Sequence, residues 1–221
     1  MSRSSAFTPR LPSLVTRLNA MLDDGADRIV VGLAGAPGSG KSTLARLLAR
    51  RLDERGLLAG EVPMDGFHMS NAVLDRLGRH GRKGAPDTFD VAGYLVILDR
   101  IRRTGPDGPA EVLAPVYRRD LHEPVAAGTR VQGRGVVVTE GNYLALDSGG
   151  WEGVRERIDL LIMLEVPEHH LITRLIRRHK SFGRTHADAA HWVRAVDVPN
   201  SRLVAACAGR CDEVWHLEEQ D

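Results

Sequence analysis

Four stretches hold the residues best suited to chemistry: a glycine loop ending in a lysine and two hydroxyls, GAPGSGKST (35–43); an aspartate in MDGFH (64–68); a glutamate in VVVTEG (136–141); and an arginine run, RLIRRHKSFGRT (174–185). Gly35, Gly40, Lys41 and Ser42 satisfy the spacing G-x-x-x-x-G-K-[ST], in which glycine freedom lets consecutive backbone N–H groups converge on phosphate oxygens. In such a loop Gly38, Ser39 and Thr43 add further donors, Lys41 reaches the β- and γ-phosphates, and the Ser42 hydroxyl ligates Mg²⁺. The implied ligand is a nucleoside triphosphate with its Mg²⁺.

Two acids are placed to work with that loop. Asp65 follows EVPM (61–64), which reads as a short strand. A carboxylate at a strand's carboxyl end can accept the proton of a substrate hydroxyl and aim that oxygen at the γ-phosphorus. The same aspartate could instead cap a turn before Gly66. Glu140 ends VVVTE, the place of an acid that holds Mg²⁺ directly or through water, although a strand-end acid can also be structural. Arg174, Arg177 and Arg178 follow a helical stretch and Arg184 follows Gly183. Guanidiniums closing over a γ-phosphate would neutralise transition-state charge and exclude water. Arg174 and Arg178 suit that role better than Arg177, which must face another way on the helix; a solvated basic face is the ordinary alternative. His68, Asn142 and Tyr143 stand close after the two acids and could donate to a hydroxyl-rich ligand, and His68 could equally serve a loop carbonyl. Arg82, Lys83 and Arg118 could take a carboxylate or phosphate, or simply face solvent.

Bringing these residues together requires a fold that gathers loops at one edge, and the hydrophobic pattern predicts one. LPSLVTRLNAMLD (11–23) places Leu14, Leu18 and Leu22 on one helical stripe before Gly25. RIVVGLAG (28–35) is a continuous apolar run of the kind buried in a parallel sheet. STLARLLARRLDERG then carries Leu44, Leu47, Leu48 and Leu52 at helical spacing and stops at Gly56, so the glycine loop joins a strand to a helix. Further strands are expected at EVPM, GVVVTEG (135–141), DLLIMLEV (159–166) and DEVWHL (212–217), with helices between several of them. This alternation is that of an α/β fold with a mostly parallel sheet. Segments 78–90 and 104–134, rich in Gly, Pro and Arg, read as loops or a small excursion over the sheet edge.

Bulk properties exclude several function classes. The 221 residues, with a formal charge of +1, fit one domain, without the field that gathers nucleic acid or anionic membrane. MSRSSA at the start has no apolar segment behind it, and no run is apolar enough to span a bilayer, so the reading is cytoplasmic. Cys207 and Cys211, four apart in what reads as a helix, are expected to be plain thiols.

Taken in order, GAPGSGKST, MDGFHM, RKGAPDTFD, PVYRRDLHEP, VVVTEGNYLAL and RLIRRHKSFGRT resemble the uridine kinase, phosphoribulokinase and pantothenate kinase superfamily. The similarity runs from about residue 11 to the C-terminus and is greatest to the bacterial branch described as nucleoside/nucleotide kinase-like or fructose-transport-associated kinases. It implies a P-loop NTPase fold: a mostly parallel sheet of about five strands flanked by helices, with an arginine-bearing lid over about 174–190, after a flexible N-terminus at 1–10. It also implies ATP as donor, Asp65 as the catalytic aspartate, Glu140 as the metal-linked glutamate, and lid roles for Arg174, Arg178 and Arg184. Tyr117 and His122 keep the five-residue spacing of the tyrosine and histidine that uridine kinases direct at the nucleoside. Gly84 and Arg118 stand where uridine kinases carry aspartates, and RKG is closer to pantothenate kinase, which weakens the case for uridine.

Two functions fit these observations. One is an ATP-dependent small-molecule kinase acting on a hydroxyl of a nucleoside, sugar or similar metabolite, or of a pantothenate-like acid. The other is an NTP-hydrolysing switch or regulatory nucleotide-binding protein, against which stands the absence of an N-K-x-D guanine-reading element. The resemblance permits a homodimer, although no apolar surface stripe demands one.

Overall fold

The computed structural model describes residues 7, 9–103, 108 and 110–217. In chain order its helices are α1 (Leu11–Asp23), α2 (Lys41–Asp53), α3 (Asn71–Arg76), α4 (Val91–Arg102), α5 (Glu152–Arg155), α6 (Glu168–Ser181), α7 (His186–Trp192) and α8 (Val198–Ala205). The strands are β1 (Arg28–Gly35), β2 (Leu58–Glu61), β3 (Glu111–Arg118), β4 (Glu123–Gln132), β5 (Gly135–Gly141), β6 (Leu160–Glu165) and β7 (Glu213–His216).

Five strands form one parallel sheet in the order β2-β5-β1-β6-β7, as the continuous apolar runs require. Side chains alternate across it. Ile29, Val31 and Leu33 of β1, with Val136, Val138 and Ile162, pack against the leucine stripes of α1 and α2. Val30 and Ala34, with Val137, Leu161 and Met163, pack on the other face against Tyr94 and Leu98 of α4 and against Trp151. Helices thus cover both faces. The N-terminal segment expected to be flexible lies mostly outside the described residues, but Phe7 is described and is buried in the first of these cores.

The register places the chemistry. Leu33 of β1 lies beside Glu140 of β5, and Val62, just past β2, donates to the carbonyl of Val138. The three chain exits that carry the glycine loop, Glu140 and Asp65 are therefore neighbours at the sheet's carboxyl edge, where the strand order changes direction around β1.

Three expectations are corrected. The second strand is LAGE, not EVPM: Pro63 has no N–H to give a ladder, and Met64–Phe67 winds into a 3₁₀ turn. Within 104–134 the loop reading is corrected: β3 and β4 form an antiparallel hairpin with its own register, the small excursion over the sheet edge that is the other expectation, with β4 against Gly60 of β2. Cys207 and Cys211 do not share a helix, because α8 ends at Ala205 and the two free thiols flank a 3₁₀ turn at Ala208–Arg210.

Candidate active site

Gly40 opens α2 at φ 101°, Gly38 sits at φ 83°, and both conformations suit glycine. At Gly35 a Cβ would meet Ser39 Oγ at 2.6 Å and the Leu164 carbonyl at 2.9 Å, so the turn out of β1 has no room for a side chain. No acid stands in the first turn of α2, which leaves its N-terminal amides to an anion. The buried Ser39 Oγ has no hydrogen-bond partner among the described residues.

Ser42 Oγ donates to Glu140 Oε1 at 2.8 Å. A hydroxyl and a carboxylate held together at a phosphate loop are the hard oxygen donors that Mg²⁺ takes, so these residues fit a magnesium ion. Loss of hydration pushes the Glu140 carboxyl up, and the Lys41 ammonium opposes it. Burial likewise pulls Lys41 down, with Glu140 and Asp65 facing it and working the other way.

Asp65 lies on the 3₁₀ turn and lines a cavity of about 670 Å³ together with Lys41 and Ser42. The turn is clamped from two sides. A Cβ on Gly66 would stand 2.2 Å from the Pro115 carbonyl of β3, and one on Gly141 would stand 2.5 Å from Met64 Cβ. His68 Nδ1 donates to the Asp65 carbonyl at 2.8 Å, and its ring lies against Phe89 (4.1 Å between centroids) and Tyr117 (4.9 Å). Burial lowers the His68 pKa, which keeps the ring neutral.

The rest of the cavity wall comes from the hairpin and the helices after β6. Tyr117, His122, Asn142, Arg178 and Arg184 all line it. Lys83 Nζ donates to Asn71 Oδ1 at 2.6 Å and to the His122 carbonyl at 2.8 Å, and lies 5.3 Å from the Tyr117 ring centre. Asn142 Oδ1 is buried and has no hydrogen-bond partner among the described residues. Arg184 stacks over the Trp192 ring at 4.2 Å. After α6, helices α7 and α8 are joined by a π-helical turn, Val193–Asp197, just before Pro199, and Val196 and Asp197 face the cavity.

Tyr143, Arg82 and Arg174, all predicted for the site, stand outside the lining, as Arg118 does. Tyr143 is fully buried; its hydroxyl donates to the Gly84 carbonyl at 2.6 Å and its ring packs with Phe89 and Trp151, so it supports the wall from behind. Arg82 pairs with Asp87 at 2.5 Å and is not among the lining residues. Arg174 also lies outside the lining and reaches the Gly38 carbonyl at 3.4 Å, bracing the glycine loop. Two cavity groups escaped the sequence reading. Arg119 lines the cavity while Arg118 turns away to Asp120 at 2.6 Å, the alternation of a strand running into its turn. Asp197 pairs with His179 of α6 at 2.8 Å.

A glycine phosphate loop, a hydroxyl–glutamate pair, an aspartate and a set of basic side chains, at the carboxyl edge of a parallel sheet, define a P-loop phosphotransferase. The chain belongs to the phosphoribulokinase/uridine kinase family, whose model matches residues 30–212. It is 33% identical to the uncharacterised protein YggC of Escherichia coli K12 over 196 residues, 87% of this chain and 79% of YggC. A Schizosaccharomyces pombe protein provisionally named a uridine kinase is 35% identical over 163 residues, 71% of this chain and 68% of that one. A crystal structure from Silicibacter sp. TM1040, provisionally described as a fructose transport system kinase, superimposes with a TM-score of 0.83 at 36% identity, covering 93% of this chain and 98% of that one. Pantothenate kinases also match, and this chain spans 44 to 62% of their length. The protein is an ATP-dependent phosphotransferase with a hydroxyl acceptor. Among the described residues no helix is long and apolar enough to cross a membrane.

Proposed function

We propose that the chain phosphorylates a hydroxyl of a small polar metabolite, a sugar or nucleoside class of acceptor, at the expense of ATP. The observation that carries this reading is that Asp65, Lys41 and Ser42, whose hydroxyl is bonded to Glu140, line one cavity, and that the same cavity is lined by hydrogen-bonding groups at Tyr117, His122 and Asn142. The phosphoryl end and the acceptor end are thus continuous.

In this reading Lys41 and the amides at the start of α2 hold the triphosphate, and Arg178 sits over its outer end. Asp65 accepts the acceptor's hydroxyl proton as that oxygen bonds to the γ-phosphorus; the γ-phosphorus–oxygen bond to ADP breaks and ADP leaves with the electron pair. Ser42 and Glu140 would hold Mg²⁺, which when bound supplies neutralising charge to the phosphate oxygens. Trp192, Phe182 and Leu175 on the lid side shield the transfer from water. A second reading, an acidic acceptor of pantothenate type, is favoured by Lys83, whose ammonium stands at the acceptor end beside Tyr117.

Acceptor-stimulated ADP release, with Mg²⁺ and ATP, tests both. Hexoses, pentoses, nucleosides, nicotinamide riboside and pantothenate are compared, with Asp65→Asn as the blank. The expected result is one class that raises ADP release and gains the mass of a phosphomonoester. Nucleotide binding without any stimulated transfer across these classes would overturn the acceptor assignment.

A further inference from the structure

The three glycines that shape the phosphate loop are each braced from a different side. Gly35 is closed by Ser39 and the Leu164 carbonyl of β6, and Gly38 by Leu175 of α6, which would stand 3.4 Å from a Cβ there. The third brace comes from outside residues 30–212, the stretch that matches the family: a Cβ on Gly40 would stand 3.2 Å from Cζ of Phe7 and 3.7 Å from its Cε2. Phe7 is 2% exposed, although it lies ahead of every described helix and strand. Its position is fixed by α1. The Phe7 carbonyl accepts from the N–H groups of Arg10 and Leu11, at 3.1 Å each, which sets the ring at the start of that helix. Arg10 lies over the Trp215 ring of β7 at 5.3 Å, Arg17 pairs with Glu213, and Trp215 shares a buried cluster with Phe7, Leu11 and Leu44. The segment before β1 is thereby tied both to the last strand of the sheet and to the first turn of α2.

We propose that Phe7 is a positioning residue for the nucleotide: its ring holds Gly40 in the conformation that presents the amides at the start of α2 to the phosphates. The proposal rests on the reading of 35–43 as the phosphate loop and adds to it a residue from outside that loop. Gly40 stands at φ 101°, and glycine gives up more backbone freedom on being fixed than any other residue. No side chain of its own can restrain it. A ring packed where that side chain would be supplies the restraint before ligand arrives, so the loop is ordered on folding and not on binding.

The effect belongs to phosphate binding alone. Phe7 is not among the residues that line the cavity, so it acts only through the loop, and the loop holds the phosphates in the ground state and the transition state alike. The other role open to Phe7 is to fill the core. Leu22, 1% exposed near the far end of α1, has that role within the same cluster and gives the comparison.

Phe7→Ala, Phe7→Leu and Leu22→Ala should be compared by titration calorimetry with ADP and with inorganic tripolyphosphate, beside their Tm. Leaving one backbone residue to be ordered on binding costs about tenfold in affinity. Phe7→Ala is expected to bind both ligands about tenfold more weakly and to raise the KM for ATP by as much, while kcat at saturating ATP and the acceptor KM stay within about twofold of wild type. Phe7→Leu keeps the core closed and should lose about threefold in affinity. Leu22→Ala should lower Tm and leave both affinities unchanged. Wild-type affinities in the Phe7 variants, an equal loss in Leu22→Ala, or a loss that falls on kcat and not on the KM for ATP would overturn the proposal. Should Phe7→Ala fail to fold, Phe7→Leu set against Leu22→Ala decides it in the same way. Wild-type protein that binds neither ADP nor tripolyphosphate would instead overturn the phosphate-loop reading beneath it, which separates the two failures.

Discussion

Glu140 sits under two opposing demands. Its surroundings strip water from the carboxyl and push its pKa up, while Lys41 and the Ser42 hydroxyl favour the charged form. Gln at this position keeps the shape and the Ser42 contact and removes the charge alone. Glu140→Gln is therefore expected to raise the Mg²⁺ concentration for half-maximal activity by about tenfold or more, the scale of losing a group that orients a metal site, with metal-free ADP affinity little changed. A Mg²⁺ titration that superimposes on wild type would remove Glu140 from the metal site. Arg178 and Arg174 separate in the same way. Arg178 faces the cavity and Arg174 braces the Gly38 carbonyl. Arg178→Ala should depress kcat by about 100-fold while nucleotide affinity changes by less than about threefold, as a transition-state contact requires. Equal losses in both would mean that Arg178 holds the ground-state nucleotide. Both arginines were legible as a pair in the sequence because their spacing puts them on successive helical turns, yet which of the two faces the ligand depends on how α6 packs, and no residue spacing carries that.

Elements explain what the sequence hid. The central strands β1, β5 and β6 were readable because each is buried on both faces and so is largely apolar; β5 and β6 fall within a residue of the apolar runs that announce them, whereas the short edge strand β2 was not readable in this way. The β3–β4 hairpin has no such pattern. Only Val112, Ala114 and Val131 of it are buried, and its sequence EPVAAGTRVQ reads as loop because most of β4 faces water. Missing the hairpin meant missing Arg119, since only a strand's alternation tells Arg118 from its neighbour. Tyr143 failed for the opposite reason: it lies next to Asn142 in sequence, and where the backbone leaves β5 consecutive side chains point to different places. The hairpin's grip on the Asp65 turn can be tested at Gly66. Alanine there drives a Cβ into the backbone carbonyl of Pro115, which has no rotamer to retreat to. Overpacking of this kind costs about 1–3 kcal/mol, and displacement of Asp65 should lower kcat about tenfold or more. Gly209→Ala, where nothing lies within 4 Å, is the control and should match wild type in Tm and rate. A Gly66→Ala protein with wild-type kcat would show that the hairpin does not hold the general base.

At the scale of the whole molecule, the sheet with its two helical layers is complete without a ligand: each face of β1 has its own buried cluster, and neither cluster includes Lys41, Asp65 or Glu140. The site is instead a meeting place of the phosphate loop on the sheet, the hairpin and the helices after β6, which bring Lys41, Arg119, Arg178 and Arg184 to one cavity with the carboxylates of Asp65 and Asp197. A polyanion bound among these cations joins the three parts, so nucleotide should stabilise the fold as a whole. Ligand at about 100 times its Kd contributes roughly 2.7 kcal/mol, and for a chain of this size each kcal/mol moves Tm by about 2–4 °C, which gives an expected rise of about 5–10 °C with Mg²⁺ and ADP. Lys41→Ala tests whether the phosphate loop transmits that gain. The Lys41 side chain makes no hydrogen bond among the described residues, so its removal should leave the ligand-free transition cooperative. The nucleotide-induced rise should fall to less than half, because the variant loses the charge that meets the phosphates while keeping every apolar contact of α2. A differential scanning calorimetry trace in which Lys41→Ala and wild type gain equally from Mg²⁺ and ADP would place the nucleotide's stabilising contacts away from the loop, and the assignment of GAPGSGKST as the phosphate cradle would fail with it.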